Sequence, residues 1–162
     1  MPVNRRAVLA ALGGIVVAAG LVVAQSNRIS QGQVYTAVTA DEVGKVLDGL
    51  GYAASIGKDS EGDPQIQFKV GSAPIYVDFY GCKASVCTST LLYYGIDLDK
   101  GTTLDKVNAW NADNRFNRGY LDEDKDPVLE SDLDFAGGTT LNAVREWIRT
   151  FVRATTDFRK AF

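Results

Sequence analysis

The chain has 162 residues, 46% of them hydrophobic and 10% aromatic, which is enough for one packed domain and argues against wholesale disorder. Its net charge of −3, or −5 once Arg5 and Arg6 are set aside with the leader described next, excludes a nucleic-acid binder that works through Lys and Arg on phosphates. The absence of histidine removes the commonest general base and the commonest transition-metal ligand together.

Arg5-Arg6 precede an apolar run, Ala7 to Ala24, after which Gln25, Ser26 and Asn27 turn polar. A basic end, an apolar stretch and a small-residue exit make up a secretory leader, with Val22 and Ala24 placed for a cut before Gln25. Residues 1–24 are therefore read as a signal peptide. The alternative is an uncleaved anchor formed by residues 7–24, since the run approaches the ~17-residue minimum for crossing a bilayer. Residues 25–37 are polar and read as a linker, leaving 38–162 as the folded domain. The expected location is periplasmic or secreted, or anchored to the inner membrane by 7–24.

Thr39 with Glu42 three residues later has the spacing of a capping box, and Val43, Val46, Leu47 and Leu50 follow at helical period until Gly51. Tyr52–Ile56 reads as a short strand and Lys58–Pro64 as a turn. Ile66, Phe68 and Val70 alternate with Gln65, Gln67 and Lys69, and Ile75, Val77 and Phe79 alternate with Tyr76, Asp78 and Tyr80. Such alternation marks strands with one buried face, and Gly71-Ser72 between them predicts a hairpin. A third run, Val86–Ile96, completes a meander. Thr102 or Thr103 can cap a helix carrying Leu104, Val107 and Trp110. Phe116–Leu121 and Val128–Phe135 read as a second hairpin joined by an acidic turn. After Gly137-Gly138, Thr139 or Thr140 caps a long final helix, with Leu141, Val144, Ile148, Phe151, Val152 and Thr155 in one stripe and Trp147 and Phe158 at its borders. The expected fold class is α+β: an antiparallel sheet, meander plus hairpin, packed with helices.

Cys82 and Cys87 are the only cysteines. In an exported chain such a pair is most simply a disulfide. A redox pair would favour C-x-x-C at a helix start, and two cysteines without histidine are half a zinc site. Asp122, Asp124 and Asp126 alternate in the manner of a calcium loop, but the sixth and twelfth positions hold Pro127 and Leu133 instead of Gly and Glu, so a solvated turn is the better reading. Asp59, Glu61 and Asp63 form a second acidic turn of the same kind. No catalytic set, metal site or cofactor motif is found: without histidine the Ser–His–Asp triad cannot form, and the obvious carboxylates sit in turns.

The aromatics are in surplus. Tyr76 and Tyr80 share the strand face opposite Phe79, and Tyr93 and Tyr94 point to opposite faces of the next strand. Tyr76, Tyr80 and Tyr94 are therefore the candidate partner surface, open to an unknown protein or to a second copy of the chain. The bland alternative is a second core on that face, covered by the last helix with Trp147 and Phe151.

The ordered set Gly57-Lys58-Asp59-Ser60-Glu61-Gly62-Asp63-Pro64, Ile75 to Cys82, Cys87 ahead of Leu91-Leu92, Asn108-Ala109-Trp110-Asn111 with Arg115-Phe116, Tyr120 to Asp124, Pro127 to Glu130 and Ala136-Gly137-Gly138 resembles the YbjN-type domain from about Val38 to Phe158. The resemblance implies a curved antiparallel sheet with helices, like that of type III secretion chaperones and often paired as dimers. It also implies a role in regulating sensory transduction, with no catalytic residues to carry over. Together with the surplus aromatics it predicts a noncatalytic interaction or regulatory module of the cell envelope. A sensor of a small ligand or cation is the second expectation, and an enzyme with an unrecognised carboxylate site the third.

Overall fold

The computed structural model describes residues 32–162; the leader and the first part of the expected linker lie outside the described residues. The described residues form a short strand β1 (Val34–Tyr35), helix α1 (Ala40–Asp48), strands β2 (Ser55–Lys58), β3 (Pro64–Val70), β4 (Ala73–Tyr80) and β5 (Ser89–Gly95), helix α2 (Leu104–Asp113), strands β6 (Arg118–Leu121), β7 (Pro127–Asp134) and β8 (Thr139–Thr140), and helix α3 (Leu141–Ala161). Strands β2 to β7 make one antiparallel sheet in the order β2-β3-β4-β5-β7-β6, so the fold class is α+β. The strand β1 falls inside the stretch read as a linker, and it pairs with β8 in a separate two-stranded ribbon.

Helix α1 starts as its sequence dictates. The Thr39 hydroxyl accepts the Glu42 N–H at 3.3 Å, and the Glu42 carboxylate accepts the Thr39 N–H at 2.9 Å. In α3 the Thr140 hydroxyl accepts from the Ala143 N–H. Among the described residues no helix is long and apolar enough to cross a membrane.

Three strand boundaries differ from expectation, each for a local reason. Strand β2 begins at Ser55, not Tyr52, because the Tyr52 N–H is still donated to Leu47 O at the end of α1 and sheet pairing starts with Ser55 opposite Gln67. Strand β5 begins at Ser89, not Val86, because Lys83 and Val86 exchange both backbone bonds around a tight turn and Cys87 pairs instead with Val38. Strand β6 omits Phe116, whose φ of 72° is left-handed and whose ring is 71% exposed.

The register sorts the sheet into two faces. Ile66, Val77, Leu92 and Ser131 stand opposite one another across four strands, and Tyr94, Leu129 and Gly119 across three. Ile66, Phe68, Ile75, Val77, Phe79, Leu92, Tyr94 and Leu129 form a core with Val43, Val46 and Leu47 of α1 and Leu141, Val144, Ile148, Phe151 and Phe158 of α3. Helix α2 joins on the same side: a Cβ on Gly119 would come within 3.3 Å of both Trp110 and Val107. Phe158, expected at the border of the α3 stripe, is buried where α2, α3 and β5 meet, with its ring centre 5.0 Å from that of Trp110 and 6.5 Å from that of Tyr94. All three helices therefore cover one face of the sheet.

Candidate functional site: the open face of the sheet

The other face has no helix over it among the described residues. Alternation puts Tyr76, Asp78 and Tyr80 of β4 there, and pairing aligns them with Tyr93, Leu91 and Ser89 of β5. The rows continue through Glu130, Asp132 and Asp134 of β7, and Arg118 and Tyr120 of β6 close the edge. Among the described residues the last helix builds no second core on this side. Trp147 donates its ring N–H to Ser131 Oγ at 2.9 Å, and Phe151 lies in the core, both on the helix-covered face.

Tyr94 is corrected by the same register. It is 4% exposed and packs on Phe158, so it is not on the surface with Tyr76 and Tyr80; Tyr93 is, directly opposite Tyr76, with ring centres 6.2 Å apart. The reason is parity. Leu91, Leu92, Tyr93 and Tyr94 are all large and apolar or aromatic, so their own pattern does not say which pair faces the core.

A polar network runs along the open face. Glu130 is buried there, accepting from Arg118 Nε and Nη2 at 3.0 and 2.6 Å and from the Tyr120 hydroxyl at 2.8 Å. Arg118 also reaches Asp132 at 3.4 Å. Gln65 donates to Asp78 at 2.8 Å, and Gln67 to the Tyr76 hydroxyl at 3.1 Å. Sequence reading missed Arg118, Tyr120 and Glu130. Their signal was the period-two spacing of Arg118 and Tyr120 and of Val128, Glu130 and Asp132 in the expected hairpin, but it needs the hairpin's register to become a site.

The face carries a negative field. Burial raises the Asp78 carboxyl above the usual carboxylate range, Asp59 and Glu130 push the same way, and the Gln65 hydrogen bond pulls it back. Tyr80 is raised by burial and then by Asp78 and Glu130; Tyr93 is raised by burial and then by Asp122, Glu130 and Asp78. Tyr120 is raised strongly by burial, by its hydrogen bond to Glu130 and by that carboxylate's charge. Arg118 is held more firmly protonated, chiefly by its hydrogen bond to Glu130. A cation laid on this face would relieve the repulsion, and an anion would add to it.

The remaining candidates lie elsewhere. The sulfurs of Cys82 and Cys87 are at disulfide distance, across the turn whose Ala84 and Ser85 have φ of 50° and 67°. The two acidic turns share one design: Asp59 Oδ1 accepts the N–H groups of Glu61 and Asp63, and Asp122 Oδ1 those of Asp124 and Asp126. Their carboxylates shape hairpin loops, and among the described residues no group of three or more Cys, Asp or Glu side chains is arranged to hold a metal ion.

The YbjN family model, described as "Putative bacterial sensory transduction regulator", matches residues 39–162. No curated protein matches the chain. Among solved structures, the chain is similar to the Yersinia pestis type III secretion chaperone SycH, solved in complex with a stable fragment of YscM2. The identity is 14%, the TM-score is 0.49, and the match covers 72% of this chain and 96% of that one.

Proposed function

The chain belongs to the YbjN family, and from that premise and its open sheet face we propose that it is a noncatalytic interaction module on which a segment of another protein docks. The observation that carries the reading is the face itself: rigid strands present Tyr76, Tyr80, Tyr93 and Tyr120 without helix cover. Tyrosines on a strand lose little freedom on binding and offer both an apolar body and a polar tip, which suits a protein partner. Charge argues for a different chain over a second copy. Face-to-face pairing of two copies would bring Asp78, Asp132 and Asp134 toward like charges, which costs association. The noncatalytic part of the reading is supported by the occupation of the site's acids: Glu130 is bonded to Arg118 and Tyr120, and Asp78 to Gln65.

A photo-crosslinking residue at position 80 of the full chain tests this in cells, with Arg153 on the exposed side of α3 as the comparison site. The expected result is a discrete adduct from position 80 whose mass is not that of two chains. An adduct of two chains only, or adducts from position 153 and none from position 80, would overturn it.

The leader supports export as part of this proposal, with the module working in the periplasm or outside the cell, cut before Gln25 or held at the inner membrane by residues 7–24. Cys82 and Cys87 at disulfide distance suit such an oxidising compartment. Fractionation with N-terminal sequencing checks it. A periplasmic chain starting at Gln25, or an uncut chain in the membrane fraction, is expected; an uncut chain in the cytosolic fraction would refute export.

A further inference from the structure

At the end of the open face where β4 begins and β5 finishes, the surface dips into a cleft of about 220 Å³. Tyr76, Tyr93 and Gly95 line it together with Ile96 and the carboxylate residues Asp97, Asp122 and Asp126. Its aromatic lining follows from the sheet register. Tyr76 and Tyr93 are cross-strand partners, and Gly95 leaves room for the Tyr93 hydroxyl, which would lie 3.1 Å from any Cβ placed there. Two of the cleft's carboxylates are fixed by backbone hydrogen bonds. Asp122 spends Oδ1 on its own turn, and Asp126 spends Oδ1 on the Leu98 N–H at 3.0 Å. Their second oxygens take no hydrogen bond among the described residues, and no described ion pair involves Asp97, Asp122 or Asp126. No basic residue lines the cleft.

We propose that this cleft receives one cationic side chain, an arginine or lysine, from the segment that docks on the face. The proposal rests on the docking reading above and names its partner's chemistry. Two observations point to a cation and a third to its size. Tyrosine rings attract positive charge to their faces. Three carboxylates with no cation among them complement it. The volume falls below the roughly 300–1,000 Å³ of small-molecule sites, so the cleft suits a single long side chain better than a whole metabolite. The molecule already carries out the same recognition once: on this same face, the Arg118 guanidinium is held by two hydrogen bonds to Glu130 and a longer contact to Asp132. The segment therefore lies along the sheet with a basic residue seated at the β4–β5 end.

The test uses the full ¹⁵N-labelled chain and a capped peptide, acetyl-Arg-Val-Arg-Val-Arg-amide, against the same peptide with citrulline, the neutral isostere of arginine, at every arginine. The arginine peptide is expected to shift the amides of Tyr93, Gly95 and Asp97 and to bind at least tenfold more tightly than the citrulline peptide. The triple variant Asp97→Asn, Asp122→Asn, Asp126→Asn should lose that discrimination. Asparagine Oδ1 can still accept the turn hydrogen bonds, and an unchanged amide spectrum away from the cleft verifies the fold. Equal binding of the two peptides, or full discrimination by the triple variant, would overturn the cationic cleft. The crosslink at position 80 separates the two ideas. If it persists while the peptides bind alike, docking stands and the cleft assignment fails; if it is absent from the unaltered chain, the docking reading fails first.

Discussion

Phe79 and Tyr80 are neighbours in the chain and lie on opposite sides of one sheet. Phe79 is fully buried beneath the helices; Tyr80 is 45% exposed on the open face. The two faces differ in what covers them, yet both bury side chains. On the covered face three helices exclude water from a continuous apolar core. On the open face Leu91, Val128 and Glu130 are buried although no helix among the described residues lies above them. A sheet can thus build a thin second layer out of its own tyrosines and a satisfied salt bridge, and remain available for a partner. That layer contributes rigidity to the surface, while the covered face contributes most of the stability.

Phe79→Ala should be the largest test of this difference, costing about 3–5 kcal/mol through lost burial and a residual cavity, as read from urea denaturation. Glu130→Ala should cost less, about 1–2 kcal/mol. It removes a buried acceptor of three hydrogen bonds, but Arg118 is largely exposed and can return to water. A loss as large as that from Phe79→Ala would mean that the open face is a second core in energetic terms.

Asp78→Asn should act in the opposite direction and only over part of the pH range. Burial holds the folded-state pKa of Asp78 above its unfolded value, so the unfolded chain releases the proton first. Stability from this group is therefore greatest at pH below the ordinary carboxylate range, falls as pH rises through the folded value, and stays reduced above it. The variant should match or trail the parent at low pH and gain on it as pH rises to 7, seen as urea midpoints measured across that range. Constant spacing between the two curves would show that Asp78 titrates as in the unfolded chain. Tyr80→Ser, one residue from Phe79, should cost about 1 kcal/mol, because its side chain is only about half covered, while removing a tyrosine from the proposed docking surface. A cost above about 2 kcal/mol would erase the contrast between the two faces.

Much of this architecture could be read from local pattern. The Thr39–Glu42 capping box, the alternation along β3 and β4 and the apolar stripe of α3 each depend on residues within a few positions of one another. Their physics is complete in a short peptide's worth of sequence. The candidate surface was only half legible. Tyr76 and Tyr80 follow from strict alternation with Ile75, Val77 and Phe79. Tyr93 rather than Tyr94 completes the surface, which the sequence leaves open because the run Leu91–Tyr94 lacks polar residues to set its parity, and a one-residue change of register moves every side chain to the other face. Arg118, Tyr120 and Glu130 lie in strands that read as a hairpin, but only its register, with Arg118 opposite Glu130, brings them into one network.

The sequence by itself determined where most strands and helices form, that the strands have two unlike faces, and that the chain lacks the histidine that common catalytic sets require. These follow from backbone periodicity and side-chain chemistry, which are local. Only the tertiary structure decided that β7 lies between β5 and β6, that all three helices settle on one face, and that the tyrosines on the other stay uncovered among the described residues. Alternation along β3 and β4 marks the apolar face for burial, but it does not say whether a helix also covers the tyrosine face. The choice is made by the lines along which α1, α2 and α3 can pack together over one side of the sheet, around Phe151 and Phe158, and that depends on contacts between residues far apart in the chain.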